Sequence, residues 1–177
     1  MQHFIRVKGS TYHLIYFDLR TRRINKRYTL QGFNDESCWL RGQAWTIYEF
    51  AIAYTRTKRE EFLRATEKLT GYYMTNCPSD SVPYWDFNDS EIPNTVKDSS
   101  AAAITTSGLF DLPGFSDKRK NRDALLNILN SLCEDYLEES YGVLKNGCFN
   151  KPEARGVDES LIWGDYYFID LLTKVVH

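Results

Sequence analysis

Residues Trp39 to Tyr54 read WLRGQAWTIYEFAIAY. Within this stretch the apolar residues Ala44, Ile47, Tyr48, Ala51 and Ile52 follow one another at helical spacing. Side chains three and four positions apart lie on the same side of an α-helix, so the spacing predicts one apolar helical face. The start of the stretch has another character, because Trp39 and Trp45 bracket Arg41, Gly42 and Gln43. Two indoles around a cation and an amide can be core packing. They can equally wall a sugar pocket, where aromatic faces meet sugar C–H faces and polar side chains meet hydroxyls.

Before this helix the sequence reads as strand. TYHLIYFD (Thr11 to Asp18) and RINKRYTL (Arg23 to Leu30) flank a short polar turn, which predicts a β-hairpin near the N-terminus. The turn holds no Gly or Asn, so its chemistry is weak. QGFNDES follows as a loop. After the first helix, Thr57 and Glu60 have the spacing of a capping box for a second helix. That helix carries Phe62, Ala65, Leu69, Tyr72 and Tyr73 inward and ends at Pro78. A loop from Pro78 to Lys97 holds Pro83, Pro93 and the string YWDFND. Asp98 is placed to cap a third helix that stops at Pro113 and Gly114. A fourth runs from about Ser116 to Glu139, with Leu125, Ile128, Leu129, Leu132 and Tyr136 aligned. A Gly-, Asn- and Pro-bearing loop leads to a fifth helix starting near Ser160 to Trp163, with Phe168, Leu171, Leu172 and Val175 on its face. The alternation of helices and loops suits αα-hairpins.

The 177 residues fit one domain with a real core. A net charge of −2 argues against nucleic acid and against a membrane surface as partner. No apolar run reaches the length of a membrane span, and MQHFIRVKGS lacks the apolar core of a signal peptide. Aromatic residues make up 15% of the chain, which fits aromatic-lined cavities as well as a Tyr-rich core. Cys38, Cys77, Cys133 and Cys148 show no C-x-x-C pair, and His3, His13 and His177 form no zinc pattern. The cysteines read as free thiols in a reducing compartment, and neither metal nor cofactor is expected.

Several loops place aromatics beside a charge or hydroxyl at a helix start: Trp39, Arg41 and Trp45; Tyr84 to Phe87; Asp98 to Ser100; Trp163 to Tyr167. Free N–H groups at helix N-termini suit anions. Together these features suggest a carbohydrate pocket, an acidic sugar included. Each residue also has a plainer role open to it. Asp98 can be an N-cap alone, Trp85 a loop anchor, Arg41 a structural cation paired with Glu49 or Asp35, and His13 a half-buried strand histidine. Glycoside hydrolysis usually needs two carboxyl groups across the bond. Asp86, Asp98, Asp165, Asp35 and Glu36 are available, and their spacing selects no pair.

The blocks QGFNDESCWLRGQAW, YWDFNDSEIPNTVKDSSAAAI, SGLFDL and IWGDYYFIDLL resemble the unsaturated glucuronyl hydrolases, glycoside hydrolase family 88. TYHLIYFD resembles that family's histidine-bearing segment. The likeness runs from about Ser10 to the last helix. It implies a mainly α fold, part of an (α/α)6 toroid of six αα-hairpins. It also implies hydration of the 4,5-unsaturated uronic acid at the end of a lyase-derived oligosaccharide. A carboxylic acid protonates C4, water adds at C5, and the hemiketal collapses to release the sugar, without a metal. By the same resemblance, His13 and Gln31 match positions that contact substrate and water, and Trp39, Arg41 and Trp45 match the pocket wall.

In the family the key aspartates lie well upstream of the histidine segment, whereas twelve residues precede His13 here. Residues 1–177 therefore read as a single partial domain, the C-terminal half of such a toroid, with the catalytic positions unassigned. A half toroid exposes an apolar edge, so a missing N-terminal half or self-association would cover it. The expected partner is an unsaturated uronyl oligosaccharide, and the expected location is the cytoplasm or periplasm. Two other roles stay open: a non-catalytic sugar-binding remnant or subunit of a split enzyme, and an unsaturated rhamnogalacturonyl hydrolase, against which RGQAW speaks.

Overall fold

The computed structural model describes residues 3–115 and 118–176. Ser116, at the expected start of the fourth helix, lies outside the described residues, as do His177 and the first two residues of the N-terminal stretch. The elements in chain order are β1 (Leu14–Phe17), β2 (Ile24–Tyr28), α1 (Leu40–Thr57), α2 (Glu60–Asn76), α3 (Ser99–Phe110), α4 (Arg119–Asp135), β3 (Gly147–Asn150), β4 (Arg155–Glu159) and α5 (Ile162–Val176).

α3 is the central helix. It packs against α1 on one side and α5 on the other, α2 covers α1, and α4 covers α3. Ser99 to Leu109 are all buried, which explains a sequence of Ser, Ala, Thr and Gly with no polar face. Small residues also set the helix approaches. A Cβ on Gly108 would stand 2.8 Å from the Cα of Tyr48 on α1, and one on Gly164 would stand 3.0 Å from the Cβ of Ser100. The helices close on two apolar clusters. In one, Leu40, Ala44, Ile47 and Ala51 meet Leu69, Tyr73, Ile104 and Leu109. In the other, Ala102 and Ala103 meet Ile128, Leu132, Phe168 and Leu171.

The expected hairpin is present, with β1 and β2 antiparallel and Leu14 opposite Tyr28. Its turn is built by Asp18, whose Oδ1 accepts the N–H groups of Arg20 and Thr21; an aspartate can replace Gly-based turn chemistry in this way. The expected Thr57 capping box does not form. α1 continues through Thr57, whose hydroxyl donates to the Ala53 carbonyl, and Lys58 ends it in the left-handed region at φ 56°. α3 ends at Phe110, before the run Asp111 to Pro113, where proline disfavours further helix. α4 stops at Asp135 rather than Glu139, because the chain from Tyr136 pairs with 143–145: Glu138 N–H donates to Val143 and Lys145 N–H to Tyr136. The segment read as a loop before α5 contains a second antiparallel hairpin, β3–β4.

A candidate sugar-site wall around Arg41

The first hairpin, the loop after it and the start of α1 converge on one place. Trp39 is the residue before α1, with an extended backbone at φ −65° and ψ 119°. It is held there by the loop 84–87: Leu40 N–H donates to the Trp85 carbonyl at 2.9 Å, and Phe87 N–H to Cys38 at 3.2 Å. Trp85 is buried, and its indole N–H donates to Asp89 at 2.6 Å. Lys151 also binds Asp89, at 2.8 Å, and its ammonium sits over the Trp85 ring. Burial pushes the Asp89 carboxyl up, but Lys151 and Thr95 outweigh it and hold the group well below the usual range. Trp85 is thus the loop anchor that its plainer role required.

Arg41 lies on the first turn of α1 and is 3% exposed. It faces Asp98, fully buried just before α3, at 3.3 Å. It also donates to the carbonyls of Cys148 and Phe149 on β3. Aromatic rings surround its guanidinium, with centroids at 4.7 Å for Trp39, 5.5 Å for Phe149 and 5.3 Å for Trp163. Gln31 joins from the loop, its amide donating to the Phe149 carbonyl at 2.8 Å. His13 lies tilted over Trp39, ring centroids 4.2 Å apart. It also lines a cavity of about 390 Å³ with Tyr12, Gly42, Thr46 and Phe50.

Four of the five residues singled out in the sequence, His13, Gln31, Trp39 and Arg41, therefore form one cluster. Trp45 lies edge-on to Tyr167 at 5.3 Å and to Tyr48 at 6.5 Å and packs with Trp163 on the same apolar cluster. The partner of Arg41 is Asp98, not Glu49 or Asp35. Asp98 occupies the N-cap position, and its carboxylate accepts from Arg41, the Ser100 hydroxyl and the Cys148 N–H. Sequence reasoning missed Phe149, because β3 was read as loop, and left Trp163 among the general aromatics. The Trp163 indole N–H is buried with no partner among the described residues.

The carboxyl groups near the cluster are engaged in structure. Asp86 is fully buried and accepts the Phe33 N–H, the Ser37 hydroxyl and the Asn88 N–H. Burial pushes its carboxyl up, and those donors oppose the shift. Asp98 behaves alike: burial raises it, and Arg41 pulls it back. Asp165 accepts the Leu144 N–H, Asp35 accepts the Thr29 N–H, and Glu36 pairs with Arg6. All four cysteines are free thiols. Burial pushes Cys148, beside Asp98, up to about 12, so it is no nucleophile at neutral pH. Among the described residues no group of three or more His, Cys, Asp or Glu could hold a metal ion, and no helix is long and apolar enough to cross a membrane.

Side-by-side helices covered by outer helices, with aromatic rings about a buried ion pair at one end of them, define a helical scaffold that carries an aromatic-walled site. No protein-family model matches the chain. It is 38% identical over 181 residues to an unsaturated glucuronyl hydrolase of Formosa agariphila, covering 98% of this chain and 45% of the relative. It is 36% identical to an unsaturated chondroitin disaccharide hydrolase of Streptococcus pyogenes, covering 97% of this chain and 45% of the relative. The crystal structure of unsaturated glucuronyl hydrolase from Bacillus sp. GL1 superposes with a TM-score of 0.92 at 31% identity, over 98% of this chain and 48% of that one. The chain belongs to the unsaturated glucuronyl hydrolase family and corresponds to its C-terminal half. It spans about half the length of the curated relatives it matches.

Proposed function

We propose that the chain forms one wall of the substrate site of a hydrolase acting on 4,5-unsaturated uronyl oligosaccharides. The observation that carries this is the cluster of His13, Trp39, Arg41, Phe149 and Trp163, built on a fold shared with proteins named for that substrate. Trp39 is itself buried between His13 and Arg41, and the half-buried rings of Phe149 and Trp163 beside it offer faces to the sugar. Arg41 is spent on Asp98 and two carbonyls, so it keeps the rings in place. His13 and Gln31 approach the uronate and the water that adds at C5. Protonation of C4 then needs a carboxylic acid from outside this wall, because Asp86 and Asp98 are each bound by several donors.

The edge of α5 favours a protein partner that completes the site. Ile162, Tyr166, Ile169 and Val176 are 76%, 61%, 50% and 80% exposed. Their spacing puts them along one stripe of the helix, a pattern that soluble helices reserve for a covering partner. The partner proposed is the complementary helical half of the toroid. A cytoplasmic or periplasmic location belongs to the same proposal. Alone, the chain binds sugar without turning it over.

The test joins this chain to the N-terminal half of a full-length relative and supplies unsaturated chondroitin disaccharide. The proposal expects loss of the ultraviolet absorbance of the C=C bond, from the joined protein and not from either half. A correctly folded chimera that leaves the absorbance unchanged would contradict it.

A further inference from the structure

One exposed question at the site is which ring nitrogen of His13 carries a proton, since a histidine can either donate or accept there. The surrounding donors answer it. Gly32 N–H donates to the Thr29 hydroxyl oxygen at 2.8 Å. Thr29 Oγ1 lies 2.9 Å from His13 Nδ1. Leu30 N–H, which can only donate, points at the same Nδ1 at 3.4 Å. With Gly32 N–H already donated to Oγ1, the Thr29 hydroxyl is free to send its own proton to Nδ1. A proton on Nδ1 would instead meet the Leu30 N–H head-on. Gly32 is fitted to this chain of bonds: a Cβ there would stand 2.8 Å from Thr29 Oγ1 and 3.1 Å from Asp86 Oδ2. The Trp39 ring, tilted by 31° over the imidazole, fixes its plane. Nε2 has no hydrogen-bond partner among the described residues.

We propose that Thr29 is a positioning residue that holds His13 as the neutral tautomer with its proton on Nε2. His13 then presents a donor to whatever fills the site. It can hydrogen-bond a uronate, a hydroxyl or the oxygen of a water, and it cannot take a proton from that water. The assignment of a ligand to Nε2 rests on the proposed uronyl activity; the tautomer itself does not. The base for the added water must accordingly be another group.

The deciding experiment is long-range proton–nitrogen NMR of the chain labelled with nitrogen-15 in histidine, at a pH where the imidazoles are neutral. His13→Gln identifies the His13 signals among those of the three histidines. The expected wild-type pattern is an unprotonated Nδ1 and a protonated Nε2. In Thr29→Val the two nitrogens should shift toward a common averaged position, and Thr29→Ser should restore the wild-type pattern. A wild-type Nδ1 that is protonated or averaged would overturn the proposal, as would a Thr29→Val spectrum unchanged at His13. The wild-type spectrum decides the tautomer even if Thr29→Val fails to fold. Absence of hydrolysis in the chimera would not alter any of these spectra, so the two proposals fail separately.

Discussion

Arg41 and Asp98 form an ion pair 3.3 Å apart that joins the first turn of α1 to the start of α3, with side chains 3% and 0% exposed. Both charges have left water, which is costly unless each is fully partnered. The Cys148 and Phe149 carbonyls, the Ser100 hydroxyl and the Cys148 N–H supply the remaining bonds. The pair thereby fastens β3 and the two helices behind the aromatic wall.

Breaking this pair from one side should be severe. Arg41→Met or Asp98→Asn leaves a buried group without its partner and should cost about 3–5 kcal/mol in a urea melt. The double variant Arg41→Met with Asp98→Asn should lose less than the sum of the two single changes. Equal additive losses would mean that the charges do not act on one another.

Glycines at the helix contacts should separate cleanly by position. Gly108→Ala puts a methyl 2.8 Å from Tyr48 backbone and should destabilise by about 1–3 kcal/mol. Gly71, in the exposed middle of α2, has nothing within 4 Å of its missing Cβ. Gly71→Ala should therefore stabilise by roughly 0.5–1 kcal/mol through helix propensity. Thermal melts of both variants test the contrast.

Acid should find His13. Burial first, and then the Arg41 charge, lowers its pKa from 6.5. The unfolded chain therefore takes up this proton before the folded one does, so stability falls as pH drops below the ordinary histidine value. The loss continues until the folded-state value is reached. Above the ordinary value the group contributes nothing to the slope. Asp86 and Asp98, raised by burial, push stability the opposite way at lower pH, so the comparison needed is wild type against His13→Gln. The variant should lose the part of the slope nearest neutrality.

The exposed stripe on α5 should govern assembly. Tyr166→Lys with Ile169→Lys removes two apolar side chains from the proposed contact, on the order of 3 kcal/mol and roughly a hundredfold in affinity for the complementary half. Titration of separately expressed halves measures it. The stability of the chain alone should hardly change, since both residues are at least half exposed.

Helices were the legible part of the sequence. The faces of α1 and α4 follow their apolar spacing, and Leu125, Ile128, Leu129, Leu132 and Tyr136 are all buried as that spacing requires. α3 showed itself through Asp98 and its stop near Pro113, although with Ser99 to Leu109 buried all round no single face could be read. Element ends were less visible, because long-range bonds set them: the strand-like pairing of Leu137 with Leu144 ends α4 early. Hairpin β3–β4 escaped because Gly147–Asn150 is short, lacks alternation and is followed by Pro152. With it went Phe149, which meets Arg41 from 108 positions away. Spacing alone could not show that pairing, nor that Asp98 is the partner of Arg41 across 57 positions.

The most direct measurement titrates the labelled chain with unsaturated chondroitin disaccharide while its indole and imidazole signals are followed by NMR. Saturable shifts are expected at Trp39, Trp163 and His13, and they should be lost in Trp39→Ala. An absence of shifts at the Trp39, Trp163 and His13 signals would contradict a sugar site at the Arg41 cluster.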